Sequence, residues 1–291
     1  MKKQGAREGR KIVVIVGPTA SGKSALAIKI ARRIGGEIIS ADSRQVYRGM
    51  DIGTGKVTVQ EQKLVPHHLL DIASPRRQFT VGEFVRHARA AIADIFARGK
   101  TPVIVGGTGL YIDALLANWT LPAVPPNFAL RARLERKSAA ELFALLEQKD
   151  PRRAAAIDHR NPRRLIRALE IIEATGKPVP PLETTLDPNY SIDWIGLNPQ
   201  NLSDRIEERL DERLRHGMIA EVKKLHAGGI SWKRLESFGL EYKWIALFLR
   251  KKITEEELRA GLLRDIIRYS KRQMTWFKRN KHIQWLTKSG R

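Results

Sequence analysis

The chain has 291 residues, 42% of them hydrophobic, which is enough for the core of one large domain or of a core domain with a smaller insertion. It has no cysteine, which excludes disulfide frameworks and thiolate metal sites and favours a reducing compartment such as the cytoplasm. The formal net charge of +22 predicts attraction to a polyanion, nucleic acid first, unless it reflects only a basic or thermophilic surface.

No apolar run approaches the roughly 20 residues that a membrane-spanning helix needs. The lysines at positions 2 and 3 are followed by polar residues rather than by the apolar segment of a signal peptide. We therefore expect no membrane partner, a cytoplasmic location and, by default, a monomer.

The first predicted unit is a strand, a loop and a helix. Residues 11–16 (KIVVIV) are an apolar, mostly β-branched run, typical of a strand buried on both faces of a parallel sheet. Residues 24–34 have the periodicity of an amphipathic helix, which Gly35 and Gly36 end. Residues 37–40 predict the next strand.

A second unit of the same kind lies further along. Residues 102–105 (PVIV) predict a strand, residues 106–109 (GGTG) a loop, and residues 110–116 a helix. Repeated units of this kind predict an α/β fold, with a P-loop-type parallel sheet flanked by helices. Ligands of such folds bind at the carboxyl ends of the strands.

Prolines flank a helix-rich middle segment. Residues 128–175 are rich in Ala, Leu and Arg, and Ser138 and Glu141 have the spacing of a capping box. Prolines stand at positions 122, 125 and 126 before this segment and at 178, 180 and 181 after it. We therefore predict a first part of the core over 8–122, an all-helical insertion over 123–181, and a second part of the core with C-terminal helices over 182–291.

The last third returns to the core. Residues 194–197 predict a strand, and apolar residues at helical spacing from Ser203 to Leu225 predict one long amphipathic helix. Thr254 starts a further helix that runs toward Tyr269.

Residues 17–24 match the phosphate-binding loop pattern GxxxxGK[ST] between a predicted strand and a predicted helix, the context that makes the pattern specific. Backbone amides and the helix N-terminus would bind phosphate, Lys23 would neutralise it, and the Ser24 hydroxyl could ligate Mg²⁺. The predicted binding residues are Gly17, Pro18, Thr19, Ala20, Ser21, Gly22, Lys23 and Ser24. This motif predicts a site for a magnesium-bound di- or triphosphate.

Two further strand ends carry candidate polar groups. Asp42 follows the strand at 37–40 and would emerge at the same sheet edge as the phosphate-binding loop, where its carboxylate could act as a general base. Thr108, between glycines at another strand end, could bind a phosphate. The alternatives are a turn or helix cap for Asp42 and a plain glycine turn at Thr108.

Two basic stretches favour nucleic acid over a merely solvated surface. Arg163, Arg164 and Arg167 occupy neighbouring positions of one helix. Residues 269–279 (YSKRQMTWFKR) mix cations with aromatics, which suits phosphate contact and base stacking.

In these motifs the chain resembles the tRNA dimethylallyltransferases, also called tRNA isopentenyltransferases. The likeness rests on GPTASGKS, on the DSxQxY of 42–47, on PHHLLD, on the GGTGLY of 106–111, on the NPRRLIRALE of 161–170 and on the KRQxTWF of 271–277. It implies transfer of a dimethylallyl group from dimethylallyl diphosphate to the exocyclic amine (N6) of the adenine just 3′ of the anticodon. The phosphate-binding loop would then hold the leaving diphosphate, with Mg²⁺ on Ser24, and the target base would leave its stack.

The resemblance also implies roles for single residues. Asp42 would be the base, and Lys23, Thr108 and Arg209 would contact the donor diphosphate. Arg213 stands where the family often has methionine, so it is open whether Arg209 or Arg213 faces the diphosphate. Residues 237–243 are a second variant segment. The helical insertion over 123–181 would bind tRNA. The anticodon stem-loop of tRNA would contact Asp42, Ser43, Arg44, Gln45, Arg131, Arg163, Arg164, Leu165, Ile166, Arg167, Lys271 and Arg272.

Two other functions fit part of the pattern. A P-loop kinase of a small metabolite would use the phosphate-binding loop and Asp42, and a non-enzymatic RNA-binding module would use the basic segments. A small-molecule kinase, however, has no need of the basic helical insertion or of the KRQxTWF segment.

Overall fold

A computed structural model describes residues 10–117, 119, 122–181 and 190–286. The chain divides into two compact units, one formed by residues 1–117 and 186–291 and the other by residues 118–185. We call them the core unit and the helical unit. The assignment of tRNA binding to the helical unit stays a prediction.

A six-stranded sheet forms the centre of the core unit. The strands are β1 (Arg10–Val16), β2 (Glu37–Ser40), β3 (His67–His68), β4 (Pro102–Gly106), β5 (Tyr190–Leu197) and β6 (Gln284–Leu286). Their order in the sheet is β3-β2-β4-β1-β5-β6, and every neighbouring pair is parallel. Residues Ile12 to Val16 of β1 and all of β4 are buried, as β-branched runs in a two-sided sheet require. The predicted fold class is confirmed.

The sheet topology determines where a ligand can bind. In a parallel sheet all carboxyl ends meet at one edge, and β1 pairs directly with β4, so that Val16 lies beside Gly106. The phosphate-binding loop after β1, Asp42 after β2 and Thr108 after β4 therefore emerge at the same edge.

Helices cover the sheet of the core unit. The helices of this unit are α1 (Lys23–Ile34), α2 (Val59–Leu64), α3 (Val81–Ala97), α4 (Gly109–Leu116), α9 (Leu202–Arg215), α10 (Met218–Ala227), α11 (Trp232–Ser237), α12 (Leu240–Leu249) and α13 (Glu255–Phe277). Thr80 and Thr254 start α3 and α13 with reciprocal capping boxes to Glu83 and Glu257, and Gly35 ends α1 in a left-handed conformation.

One helix prediction in the core unit is wrong. The single long helix expected from Ser203 to Leu225 is two helices, α9 and α10, because Gly217 between them has a φ of 95°, which lies outside the α-helical range.

Within the described residues, no helix is both long enough and apolar enough to cross a membrane.

Four helices make up the described part of the helical unit, where the sequence predicted helix throughout 128–175. They are α5 (Phe128–Leu134), α6 (Ala139–Lys149), α7 (Pro151–Ala156) and α8 (Pro162–Thr175). Ser138 caps α6 with the predicted capping box, and Leu142, Leu146 and Leu165 form the fully buried centre of the unit. The loops are needed to fold the helices back onto this shared core.

Candidate active site

The phosphate-binding loop is held in its turn by several interactions. Lys23 Nζ donates to the Pro18 carbonyl at 3.0 Å, and Gly22, with φ 87°, is the N-cap residue of α1. No side chain caps this helix, so its first amides can face an anion. The buried Ser21 hydroxyl also finds no partner among the described residues. Of the predicted binding residues, Gly17, Pro18, Ala20 and Ser21 are buried and Thr19, Gly22, Lys23 and Ser24 are half-buried.

Gln273 joins this loop to the glycine-rich loop after β4. Its Oε1 accepts from the Thr19 amide at 2.9 Å, and its Nε2 donates to the Gly107 carbonyl at 2.9 Å. A Cβ at Gly107 would collide with the Gln273 amide group, so the close approach requires glycine. The sequence offered Gln273 only as part of a basic segment, and its position at the site emerges from the fold.

Asp42 sits in a tight turn with one carboxylate oxygen engaged. Asp42 Oδ1 accepts from the amides of Arg44 at 2.8 Å and Gln45 at 3.3 Å. No donor to the other oxygen, Oδ2, is found within the described part of the chain. The turn-capping alternative and the general-base hypothesis are therefore compatible, because each uses a different oxygen.

Thr108 fixes the same turn from the neighbouring strand end. Its Oγ1 accepts from the Ser43 amide at 3.2 Å. Burial, chiefly, raises the pKa of the nearby Tyr269 to about 12, so its phenol stays protonated near neutral pH. Contact of Thr108 with a phosphate stays a prediction.

Three arginines of α9 lie at spacings of four, which places them on one helix face toward the phosphate-binding loop. Arg205 Nε donates to the Ala20 carbonyl at 2.9 Å, and Arg213 Nη1 is 3.4 Å from Glu241 Oε1. Arg209 has no hydrogen bond or ion pair among the described residues, although it is half-buried. A guanidinium in this state offers five donors to a ligand.

These cations act on the phosphate-binding lysine. The pKa of Lys23 is lowered to about 8, chiefly by burial. Arg209 and Arg213 contribute to this lowering, while Asp42 opposes it. Positive charges this close together repel one another, and a bound anion would offset that repulsion.

This pKa predicts how donor binding depends on pH. A bound diphosphate favours charged Lys23, so affinity for an alkyl diphosphate should fall as the pH rises above about 8, by up to about tenfold per pH unit. Calorimetric titrations between pH 7 and 9.5 measure this, since the terminal phosphate of a diphosphate monoester, with a pKa near 6, is already ionised there. The Lys23→Arg variant should lose the dependence, because arginine stays charged. An unchanged affinity across this range would contradict the assignment of Lys23 to the anion site.

Gly55 lies against the guanidinium groups of Arg209 and Arg213. A Cβ at Gly55 would lie 2.9 Å from Arg209 Nη2 and closer still to Arg213 Nη2, and Gly55 has a left-handed φ of 58°. The two guanidinium groups are therefore neighbours. Gln45 Nε2 holds this segment by donating to the carbonyls of Thr54 at 3.4 Å and Gly55 at 3.3 Å.

The Gly55→Ala variant should therefore weaken binding of inorganic diphosphate about tenfold, because the methyl group displaces both guanidinium groups. Calorimetry measures the affinity, and Gly99→Ala is the matched control, since Gly99 has a φ of 68° and an open Cβ position. Equal affinities of the two variants would argue against a role for this convergence.

The other residues predicted to bind tRNA in the core unit have mixed surroundings. Arg44 Nε donates to the Phe238 carbonyl at 2.9 Å, and Ser43 and Gln45 are half-buried in the Asp42 turn. Lys271 and Arg272 are exposed on α13. Of the aromatics in this segment, Phe277 is buried, so it cannot stack on a base, whereas Trp276 is half-buried and its Nε1 donates to Asp113 Oδ2 at 2.9 Å. Base stacking by the other rings of the segment stays a prediction.

In the helical unit, Arg163 and Arg164 are exposed at the start of α8 and have no side-chain hydrogen bond or ion pair within the described ranges. Arg131 and Arg167 instead bind the buried Glu170, at 2.8 and 2.6 Å. These two arginines therefore also stabilise the fold of this unit.

Two further residues of the predicted tRNA-binding set have buried side chains. Leu165 and Ile166 are 0% and 6% exposed and belong to the hydrophobic core of the helical unit. Apolar side chains follow Arg163 and Arg164 because α8 buries its other face, so these two side chains pack the helix. A contact of this part of α8 with tRNA stays a prediction.

Two family models match the chain, one described as IPP transferase over residues 45–280 and one described as isopentenyl transferase over residues 10–73. A tRNA dimethylallyltransferase of Thermomicrobium roseum is 43% identical over 282 residues, which cover 95% of this chain and 86% of that protein. Another, of a Roseiflexus species, is 44% identical over 274 residues, covering 92% and 90%.

Solved structures are similar as well. The full-length tRNA isopentenylpyrophosphate transferase from Bacillus halodurans superposes with a TM-score of 0.71 at 40% identity, over 96% of this chain and 90% of that one. A eukaryotic dimethylallyltransferase acting on tRNA has a TM-score of 0.80 at 28% identity, over 96% and 74%. The matched sequence and the shared fold thus extend through nearly the whole chain, which belongs to the IPP transferase family, the tRNA dimethylallyltransferases, and not to the small-metabolite kinases.

Proposed function

We propose that this chain transfers a dimethylallyl group from dimethylallyl diphosphate to N6 of the adenine next to the 3′ side of the anticodon in tRNA. The C1–O bond of the donor breaks, a C1–N6 bond forms, the amine proton moves to Asp42, and diphosphate leaves. The observation that carries this proposal is that Arg209, which has no partner among the described residues, lies near Lys23 of the phosphate-binding loop and Asp42, in a chain of this family.

On the donor side, the cations of the site form a binding pocket for the diphosphate. The amides at the start of α1, together with Lys23 and Arg209, donate to its oxygens, and these contacts strengthen as negative charge develops on the leaving group. Since Gln273 and Arg205 bind the carbonyls and amides of the loop itself, the loop needs little reorganisation before donor binding.

The residues present fit a magnesium ion. The Ser24 hydroxyl is half-buried next to Lys23 and has no hydrogen bond to any part of the chain that the structure describes. Mg²⁺ typically takes one or two protein oxygens and completes its shell with substrate phosphates and waters, so Ser24 and the donor would hold it. When bound, the ion neutralises charge on the departing diphosphate.

On the acceptor side, Asp42 is held for proton abstraction. The amides of Arg44 and Gln45 fix one carboxylate oxygen, which leaves Oδ2 to accept the proton from the adenine amine. Thr108 acts on this geometry by holding the Ser43 amide, and Ser43 and Arg44 border the path of the base.

Exposed arginines of the helical unit bind tRNA phosphates in this proposal, with Lys271 and Arg272 of the core unit. The Arg163→Ala/Arg164→Ala variant should weaken tRNA binding and lower the slope of log affinity against log salt by about 1.5 to 2, since each phosphate contact contributes roughly 0.9. Filter binding at several salt concentrations measures the slope. The matched control is Arg32→Ala/Arg33→Ala, which removes the same charge from the last turn of α1, where no tRNA contact is proposed. Equal slopes for both variants would argue against this interface.

The proposal extends to the protein's state in the cell. The anticodon of tRNA is the substrate, so we place the chain in the cytoplasm, and each site residue comes from the one chain, so a monomer suffices.

Incubation with tRNA, dimethylallyl diphosphate labelled in the isoprenoid, and Mg²⁺ tests the function. Label should appear on adenosine at the position 3′ of the anticodon and only with all three components. Unlabelled tRNA, together with ATP-dependent phosphorylation of a metabolite, would instead favour the kinase alternative.

A further inference from the structure

Resting on the function proposed above, we infer that Arg213 is a second diphosphate-binding residue of this chain and that Glu241 positions it. The sequence left open whether Arg209 or Arg213 faces the leaving group. The structure favours both, because the two guanidinium groups converge on Gly55 and each acts electrostatically on Lys23.

Arg213 is engaged too weakly for a buried cation. Its side chain is 15% exposed, yet its contacts are two long ones, both from Nη1: 3.4 Å to the Gly53 carbonyl and 3.4 Å to Glu241 Oε1. Nη2 and Nε have no partner among the described residues. A guanidinium carries five N–H donors, so the unused ones are available to an oxyanion beside Lys23.

Glu241 is matched to this role. Its side chain, in the first turn of α12, is 13% exposed, and Arg213 is the cation it pairs with. Burial raises the pKa of Glu241, and Arg213 counteracts that shift, so each group keeps the other charged. By holding Nη1, Glu241 leaves the rest of the guanidinium directed at the anion site.

Residues 51–53, which include the Gly53 carbonyl that Arg213 contacts, are held by hydrogen bonds to Glu221. Glu221 Oε2 accepts from the amides of Asp51 and Ile52, both at 2.7 Å, and Glu221 Oε1 accepts from the Gly53 amide at 3.1 Å. Tyr242, next to Glu241, donates to the same carboxylate at 2.8 Å. The Gly53 carbonyl that Arg213 contacts is therefore fixed, which limits where the guanidinium can lie.

Binding of inorganic diphosphate with Mg²⁺, measured by calorimetry, tests the inference. Arg213→Met should weaken it about 10- to 100-fold, as expected for loss of charge-assisted hydrogen bonds. Arg215→Met, on the same helix with an exposed side chain, removes the same charge and should stay within about twofold of the parent.

The double variant Arg213→Met/Glu241→Gln separates binding from charge balance. It removes the carboxylate that Arg213→Met leaves buried and unpaired, so its melting temperature should return toward that of the parent while diphosphate binding stays weak. Recovery of parental affinity in the double variant would overturn the inference, because Arg213 would then serve only to neutralise Glu241.

An assay of prenyl transfer by the parent protein distinguishes a failure of this inference from a failure of the proposed function. A parent that prenylates tRNA while the double variant binds diphosphate normally contradicts only the role of Arg213. A parent that binds diphosphate through Arg213 and leaves tRNA unmodified contradicts only the function.

Discussion

Replacing Asp42 with asparagine should lower the rate of prenyl transfer about 100- to 10,000-fold, the range that a positioned general base contributes. Asparagine keeps the oxygen that accepts from the Arg44 and Gln45 amides, so the turn should persist. It lacks a carboxylate to take the amine proton. Affinity for inorganic diphosphate should be equal to or slightly above that of the parent, because one negative charge near Lys23 is gone.

Single-turnover transfer at saturating tRNA measures the chemical step directly, and Asp204→Asn, in the exposed first turn of α9, is the matched control. An Asp42→Asn variant with the parental rate would end the assignment of Asp42 as the base. A variant that loses rate and diphosphate binding together would show that Asp42 serves the structure of the turn instead.

Replacing Arg209 with methionine should lower kcat/KM for dimethylallyl diphosphate about 100- to 1,000-fold, the loss typical when a donor aimed at developing negative charge is removed. Burial, with repulsion from Arg213, lowers the pKa of Arg209 to about 10, so the group is still charged near neutral pH. It has no partner within the described part of the protein, and its positive charge is thus free to serve the ligand.

Arg209→Lys should recover part of the activity, because the ammonium restores charge without the two-pronged geometry of guanidinium. Initial rates over a range of donor concentrations separate effects on kcat from effects on KM. If Arg209→Met turned over like the parent, the diphosphate would have to bind elsewhere.

Local sequence patterns predicted the parts of this site that a single segment encodes. The phosphate-binding loop between β1 and α1 follows from glycines, Lys23 and Ser24 in a strand-to-helix context. Asp42 and Thr108 follow from one further step, since parallel strands expose their carboxyl ends at one edge. The family resemblance added Arg209, which no pattern within α9 distinguishes from Arg205 or Arg213.

Contacts between distant segments were beyond such reasoning. Gln273 reaches Thr19 across 254 positions because α13 packs against the loops, whereas the basic residues around it indicated only contact with nucleic acid. The break between α9 and α10 at Gly217 was missed because the apolar spacing continues through it. The pair Arg213–Glu241 could be found only once α9 and α12 were placed side by side.

The fate of the diphosphate tests the central claim most directly, namely that the phosphate-binding loop holds a leaving group and hydrolyses no nucleotide. With donor labelled separately in the isoprenoid and in the terminal phosphate, and with no ATP present, intact diphosphate should be released in a one-to-one ratio to the prenyl groups added to tRNA. A requirement for ATP hydrolysis, or release of monophosphate in step with transfer, would contradict it.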